Sequence, residues 1–285
     1  MSRYKKRKKH GIGECVYCGK LGSLTDDHIP PQNLFPKPHP HNMISVPACY
    51  ECNNRASKDD EYFRLCLTII ENAKGHPARD SIIPSVERSL GKKEAVGFSN
   101  AIWNEIIDAD RFSPSGLLYL GPGKLHVASL TRMNRVAVRI VKGLLYNETQ
   151  QRIPDNFVVF SWHLSMLSKL ELDTDSRQVI EAFIDALLTV QPQRIGDVFA
   201  FSRIWSPDGW PGSSRSVWLL QFYGRIEYYC SICPREVETV APLSAHAPSK
   251  GGKDDPSNMQ GKTVEAAKAK DKIEGRGNII NGSQE

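Results

Sequence analysis

No apolar run in this 285-residue chain reaches the roughly 20 residues that a membrane-spanning helix needs. No apolar stretch follows the charged N-terminal residues either, so nothing there has the form of a secretory signal. Both absences point to a cytoplasmic protein with no membrane partner. A disulfide framework is lacking too: the seven cysteines, four of them in two Cys-x-x-Cys pairs, suit a reducing compartment. The Asn147-Glu148-Thr149 sequon then carries no weight. Gly123-Lys124 lacks the spacing and the following Ser or Thr of a phosphate-binding loop. From Ala241 onward there is no aromatic residue and no cysteine, while Gly, Lys, Ser, Asp and Asn dominate, so 241–285 is expected to be a disordered tail.

What is present is concentrated near the N-terminus. Asp27-His28-Ile29-Pro30-Pro31 is bracketed by Cys15/Cys18 and Cys49/Cys52, with Asn53 directly after the last cysteine. Four thiolates at this spacing can hold a structural zinc, which would fix a small scaffold for the polar residues between them. Hydrolysis of a phosphodiester needs a group to deprotonate water and a charge to balance the phosphate and leaving oxygen. His28 has the pKa range for the first task. A hard divalent cation such as Mg²⁺ suits the second and prefers oxygen ligands, here the Asp27 carboxylate and the Asn53 carbonyl. Two metals with separate tasks are therefore expected.

These residues resemble the HNH endonucleases, which have a ββα-metal fold. The resemblance is carried by Cys15-Val16-Tyr17-Cys18, Asp27-His28-Ile29-Pro30-Pro31, Asn42 ahead of Met43-Ile44-Ser45-Val46-Pro47, Cys49-Tyr50-Glu51-Cys52-Asn53 and Lys58. It covers about Gly13 to Arg64. It implies that Asp27 and Asn53 bind the catalytic cation, that His28 is the general base and that Asn42 orients His28. It also implies DNA cleavage, with Lys58 a candidate phosphate contact. A strand turns neighbours to opposite faces, so only one of Asp26 and Asp27 should reach the cation directly.

A four-cysteine site alone is more often a structural staple than part of an enzyme. The alternative is accordingly a non-catalytic, zinc-dependent nucleic-acid-binding or scaffold protein. Asp27 and His28 weigh against it, since a zinc staple has no use for them. Of the net charge of +5, most lies early: through Asp60 there are ten Lys and Arg against six Asp and Glu. Lys5 to Lys9 form a basic arm that suits a phosphate backbone or, equally, a solvated tail. Arg132, Arg135, Arg139 and Lys142 recur at helical steps and share one face. That stripe is a solvated surface or a track for the phosphate backbone of DNA.

The expected architecture is α+β: an arm (1–12), a zinc-stapled ββα module (13–84), an α+β domain of unassigned role with an antiparallel sheet (85–240), and the tail. Ser23–His28 and Met43–Pro47 read as the module's strands. Ser57, with Asp60 three residues on, reads as the start of its helix, and Asp59, Asp60 and Glu61 suit that helix's positive end. Cys66 falls at a core position of the same helix. Residues 75–84 read as a linker, and Gly121-Pro122-Gly123 as a hairpin turn. Helices are expected over Leu130–Leu144 and Val179–Leu188. Strands are expected over Phe157–Trp162, Asp197–Trp205, Ser216–Phe222 and Arg225–Tyr229, with Asp208-Gly209 as a turn. Cys230 and Cys233 form a third Cys-x-x-Cys, without a second pair nearby to complete a site.

Overall fold

The N-terminal part of the chain is built around a short three-stranded sheet. Strand β2 (Leu21–Ile29) pairs antiparallel with β1 (Ile12–Glu14) on one side and β3 (Ile44–Cys49) on the other. The β2–β3 register sets Asp27 opposite Val46 and His28 opposite Ser45. Helix α1 (Tyr50–Ile69) follows β3 without a loop, giving a β-β-α order. The computed structural model describes residues 11–70, 73–112, 119–163, 174–205 and 216–235. All of these belong to one compact unit, Met1–Glu238. The basic arm, the Asp208-Gly209 turn and the tail lie outside the described residues.

Helix α1 begins seven residues before Ser57. Its N-cap is Cys49, with Glu51 in the first turn where the helix dipole favours a negative charge. Ser57 instead donates its hydroxyl to the Asn54 carbonyl within the helix, a local bond that imitates a capping residue in sequence. Asp59, Asp60 and Glu61 therefore sit in mid-helix, not at its positive end. Cys66 is buried in the core, as its position in the pattern implies.

Helix α2 (Pro77–Leu90) covers most of the 75–84 stretch that reads as a linker and continues through Val86–Leu90, which reads as a short helix. Pro77 occupies the first turn, where a missing N–H costs nothing, and Pro84 lies inside the helix. After α3 (Val96–Asn104), strands β4 (Ile106–Phe112) and β5 (Tyr119–His126) pair as a ribbon. Gly121-Pro122-Gly123 lies within β5, opposite Arg111, Asp110 and Ala109, and is not its turn.

Helix α4 (Leu130–Thr149) leads into a five-stranded antiparallel sheet. Its order is β6 (Phe157–His163), β10 (Ile226–Pro234), β9 (Ser216–Phe222), β8 (Phe199–Trp205), β7 (Gln193–Ile195). Alternate residues supply both faces. Trp218, Leu220, Phe222, Tyr228 and Cys230 join the main core, whereas Leu219 and Tyr229 pack with Leu187 of α5 (Thr174–Thr189). Cys230 and Cys233 are three apart on one strand, so their side chains leave opposite faces, and the third Cys-x-x-Cys is not a chelating pair.

The main core runs without a break from Val16, Ile29 and Val46 through Phe63 and Ile140 to Ile232. Pro84 marks no boundary within it. Phe63 of α1 meets Phe222 and Tyr228 at ring distances of 5.3 and 5.7 Å. Helix α4 closes over β2 at Gly143, where an added Cβ would stand 2.5 Å from Ile29 Cγ1. Only a residue without a side chain lets the helix approach the strand so closely.

Candidate functional site

The four cysteines come together at one end of the small sheet. Their Sγ atoms lie within 4.8 Å of one another, and Cys18 and Cys49 are 3.8 Å apart. A tetrahedral zinc with Zn–S bonds of about 2.3 Å requires S···S edges of about 3.8 Å, so the quartet can bind a metal such as zinc. Local backbone prepares it. Gly19 donates to the Cys15 carbonyl at 2.9 Å with φ +72°, turning the chain sharply after Cys18. Cys49 and Cys52 straddle the junction of β3 and α1. Backbone N–H groups offset burial at Cys15 and bring its thiol down to about 7, whereas burial and the neighbouring thiols push Cys52 up.

Beside this end lies an acidic cleft of about 500 Å³. Asp26, Asp27, His28, Asn53, Asp60 and Glu61 line it. The three strand residues and the helix residues meet because α1 packs across β2, and because Asn53, Ser57, Asp60 and Glu61 share one helix face. Asn53 Nδ2 donates to Thr25 Oγ1 at 3.0 Å and to the Asp26 carbonyl at 3.1 Å. Its amide nitrogen is thus anchored to β2, which leaves the carbonyl oxygen as the donor for a cation. Asp26 and His28 occupy one face of the strand and Asp27 the other, yet all three border the cleft. Asp26 accepts from Ser45 Oγ at 3.3 Å.

Asp27 is only 5% exposed. Tyr17 donates to its Oδ2 at 2.5 Å, and Arg139 Nε stands 3.5 Å from the same oxygen. Burial, then the negative charge of Asp27, pushes the Tyr17 phenol up, so it remains a donor. Tyr17 lies between Cys15 and Cys18 in sequence, so the Cys-x-x-Cys turn positions this carboxylate. Asp60 accepts two bonds from Arg139 Nη2, at 2.6 and 2.8 Å, and burial raises its carboxyl to about 6.

The four-residue stripe on α4 has a different role from either expectation. Arg132 and Arg135 both bond Asp59, Arg132 also reaches the Lys58 carbonyl, and Arg139 is buried between Asp27 and Asp60. Its three arginines form the seam between α4 and α1. Arg135 keeps part of its surface exposed, and burial followed by nearby Arg152 lowers Lys142. Asn42 is also placed elsewhere: its Nδ2 donates to the Arg194 carbonyl at 2.8 Å, joining the loop to β7. The residue opposite His28 in the ladder is Ser45. Tyr17, Asp60 and the buried setting of Arg139 were not legible from spacing, although Asp60 stands seven residues after Asn53 on the same face.

Arg139 yields a prediction. Its side chain is 9% exposed and neutralises two carboxylates that are 6% and 16% exposed. Arg139→Met should leave both acids buried and uncompensated, costing about 3–5 kcal/mol. In a domain of this size that corresponds to a loss of roughly 6–20 °C in melting temperature. A thermal melt within 2 °C of wild type, on the order of 1 kcal/mol or less, would show that the pair contributes little net stability.

Comparison with protein-family models, with curated proteins and with solved structures gives no match. The functional reading therefore rests on the residues of the cleft. Among the described residues, no helix is long and apolar enough to cross a membrane.

Proposed function

We propose that this chain is a metal-dependent endonuclease of the HNH type that hydrolyses phosphodiester bonds in DNA. The observation that carries the reading is the meeting of Asp27, His28 and Asn53 in one acidic cleft beside the four-cysteine cluster. A ring nitrogen of His28 takes a proton from water as the water oxygen attacks phosphorus. The bond to the leaving oxygen breaks, and that oxygen takes a proton from solvent water. The Asp27 carboxylate and the Asn53 carbonyl would hold a divalent cation such as Mg²⁺. When bound, the cation balances charge on the phosphate and the leaving oxygen. Tyr17 and Arg139 hold Asp27 in place.

The non-catalytic alternative draws on one observation: the Arg139 guanidinium already compensates Asp27, so the carboxylate has a structural partner without any cation. A plasmid nicking assay with and without Mg²⁺ or Mn²⁺ separates the two. The nuclease reading expects nicked and linear products only with the cation. It also expects Asp27→Ala and Asn53→Ala to lose activity that higher Mg²⁺ or Mn²⁺ partly restores. Intact plasmid with every divalent cation supports the binding protein instead.

A further inference from the structure

Next to the acidic cleft the charge of the surface reverses. Ser57 and Glu61 of α1 border both the cleft and a larger cavity of about 940 Å³ that is closed by residues of α2, α3 and α4. Its lining sets Lys58, Arg64, Arg88, Lys92 and Arg132 against Glu61 and Glu94. Two of these cations are fixed. Arg64, 9% exposed, is held by Glu61 and by Ser89 Oγ at 3.1 Å, and its Nε is buried without a hydrogen-bond partner. Arg132 is held by Asp59 and lies 3.9 Å over the ring of Tyr62. Lys58, Arg88 and Lys92 are exposed, and among the described residues their side chains form no ion pair. Phe98 completes the wall, half-buried and edge-on to Tyr62.

A solvated cationic face is the ordinary fate of lysines and arginines near a helix end. It does not line a recess of this size, and it does not hold a buried guanidinium with an unused donor in its wall. A rigid floor, uncommitted cations and an aromatic wall are together the parts of a site for a nucleotide: cations for the phosphates and a ring for the base.

We infer that this cavity receives an unpaired nucleotide flanking the cleaved bond, with its phosphates on Lys58, Arg88 and Lys92 and its base against Phe98. The inference rests on the nuclease reading of the adjoining cleft. A strand with its scissile phosphate beside His28 continues past Ser57 and Glu61 directly into the cavity. The volume falls in the range of small-molecule sites, roughly 300–1,000 Å³, and the Phe98 wall can be met only by an exposed base face, which a stacked base pair does not offer. The substrate is thus DNA that is single-stranded on one side of the cut, as at an overhang or a branch, in preference to uninterrupted duplex.

The test is fluorescence anisotropy of the full chain in EDTA, where no cleavage interferes. Two labelled probes are used: a blunt duplex and the same duplex bearing a single-stranded thymidine overhang. Wild type should bind the overhang probe more tightly. Arg88→Glu/Lys92→Glu, at exposed positions, should weaken that binding by roughly 25-fold at 0.1 M salt and lower its salt slope by about 1.4, the loss of two single-strand phosphate contacts. Phe98→Leu, matched to wild type by circular dichroism and zinc content, should cost roughly tenfold on the overhang probe alone. Equal binding of the two probes by wild type, or unchanged overhang binding in the double variant, overturns the inference. Plasmid cleavage by wild type with Mg²⁺ is scored separately. Its absence removes the nuclease reading, whereas the anisotropy decides the cavity.

Discussion

Alanine in place of His28 is expected to slow plasmid cleavage by roughly 10²–10⁴-fold, the range for loss of a positioned general base, without changing zinc content, circular dichroism or binding of DNA in EDTA. The separation of effects follows from the strand. His28 and Asp26 face one way and the apolar Ile29, which enters the main core, faces the other. Removing an imidazole from the polar face therefore leaves the packing of β2 on α4 intact. Asp27 cannot replace the lost base, because it is buried and engaged by Tyr17 and Arg139. Equal cleavage by the two proteins would remove His28 from the chemistry.

Loss of one zinc cysteine has the second large effect, and the structure says where it falls. The end of the small sheet that carries the quartet has a core of its own made only of Cys15, Leu24 and Ala48, with partly buried neighbours. Three small or medium residues supply a few kcal/mol of burial at most, against about 10–16 kcal/mol for binding of a structural zinc. The opposite end of the same sheet, at Ile29 and Val46, is anchored in the main core. Cys49→Ser should thus abolish zinc binding and strip amide-exchange protection from β1 and the first half of β2, while α4 and β8–β10 keep theirs. Cleavage should fall as well, since Tyr17 would no longer hold Asp27. Unchanged zinc content, or loss of protection throughout the chain, would refute this local role for the metal.

Much of this arrangement is readable from residues alone where a period or a spacing is unambiguous. The strands around Asp27 and Val46, the helix from Leu130 and the four sheet strands after Phe157 follow from alternation or helical recurrence. The cysteine quartet follows from two pairs that bracket a strand. What escapes is whatever depends on partners distant in sequence. The Arg132 to Lys142 stripe shows a shared face but not that Asp59 and Asp60 cover it. Ser57 has the residue type of a cap yet bonds its own helix. Pro77 and Pro84 suggest a linker because proline usually interrupts helices, while here one starts the helix and the other is tolerated inside it. Asn42 is polar and close in sequence to β3, but Arg194 claims it across more than half the chain.

The close approach at Gly143 bears on how this site can be inherited. Helix α4, which begins well after the last cysteine of the quartet, supplies the guanidinium between Asp27 and Asp60 and presses its backbone against Ile29. The catalytic residues of the proposed enzyme are thus not a cassette that recombination could lift out at Pro84 and graft onto another protein. A fragment ending there would carry His28, both cysteine pairs and Asn53, but its carboxylates would be without their counter-charge and Ile29 without its cover. Such a site changes hands only together with the remainder of its fold.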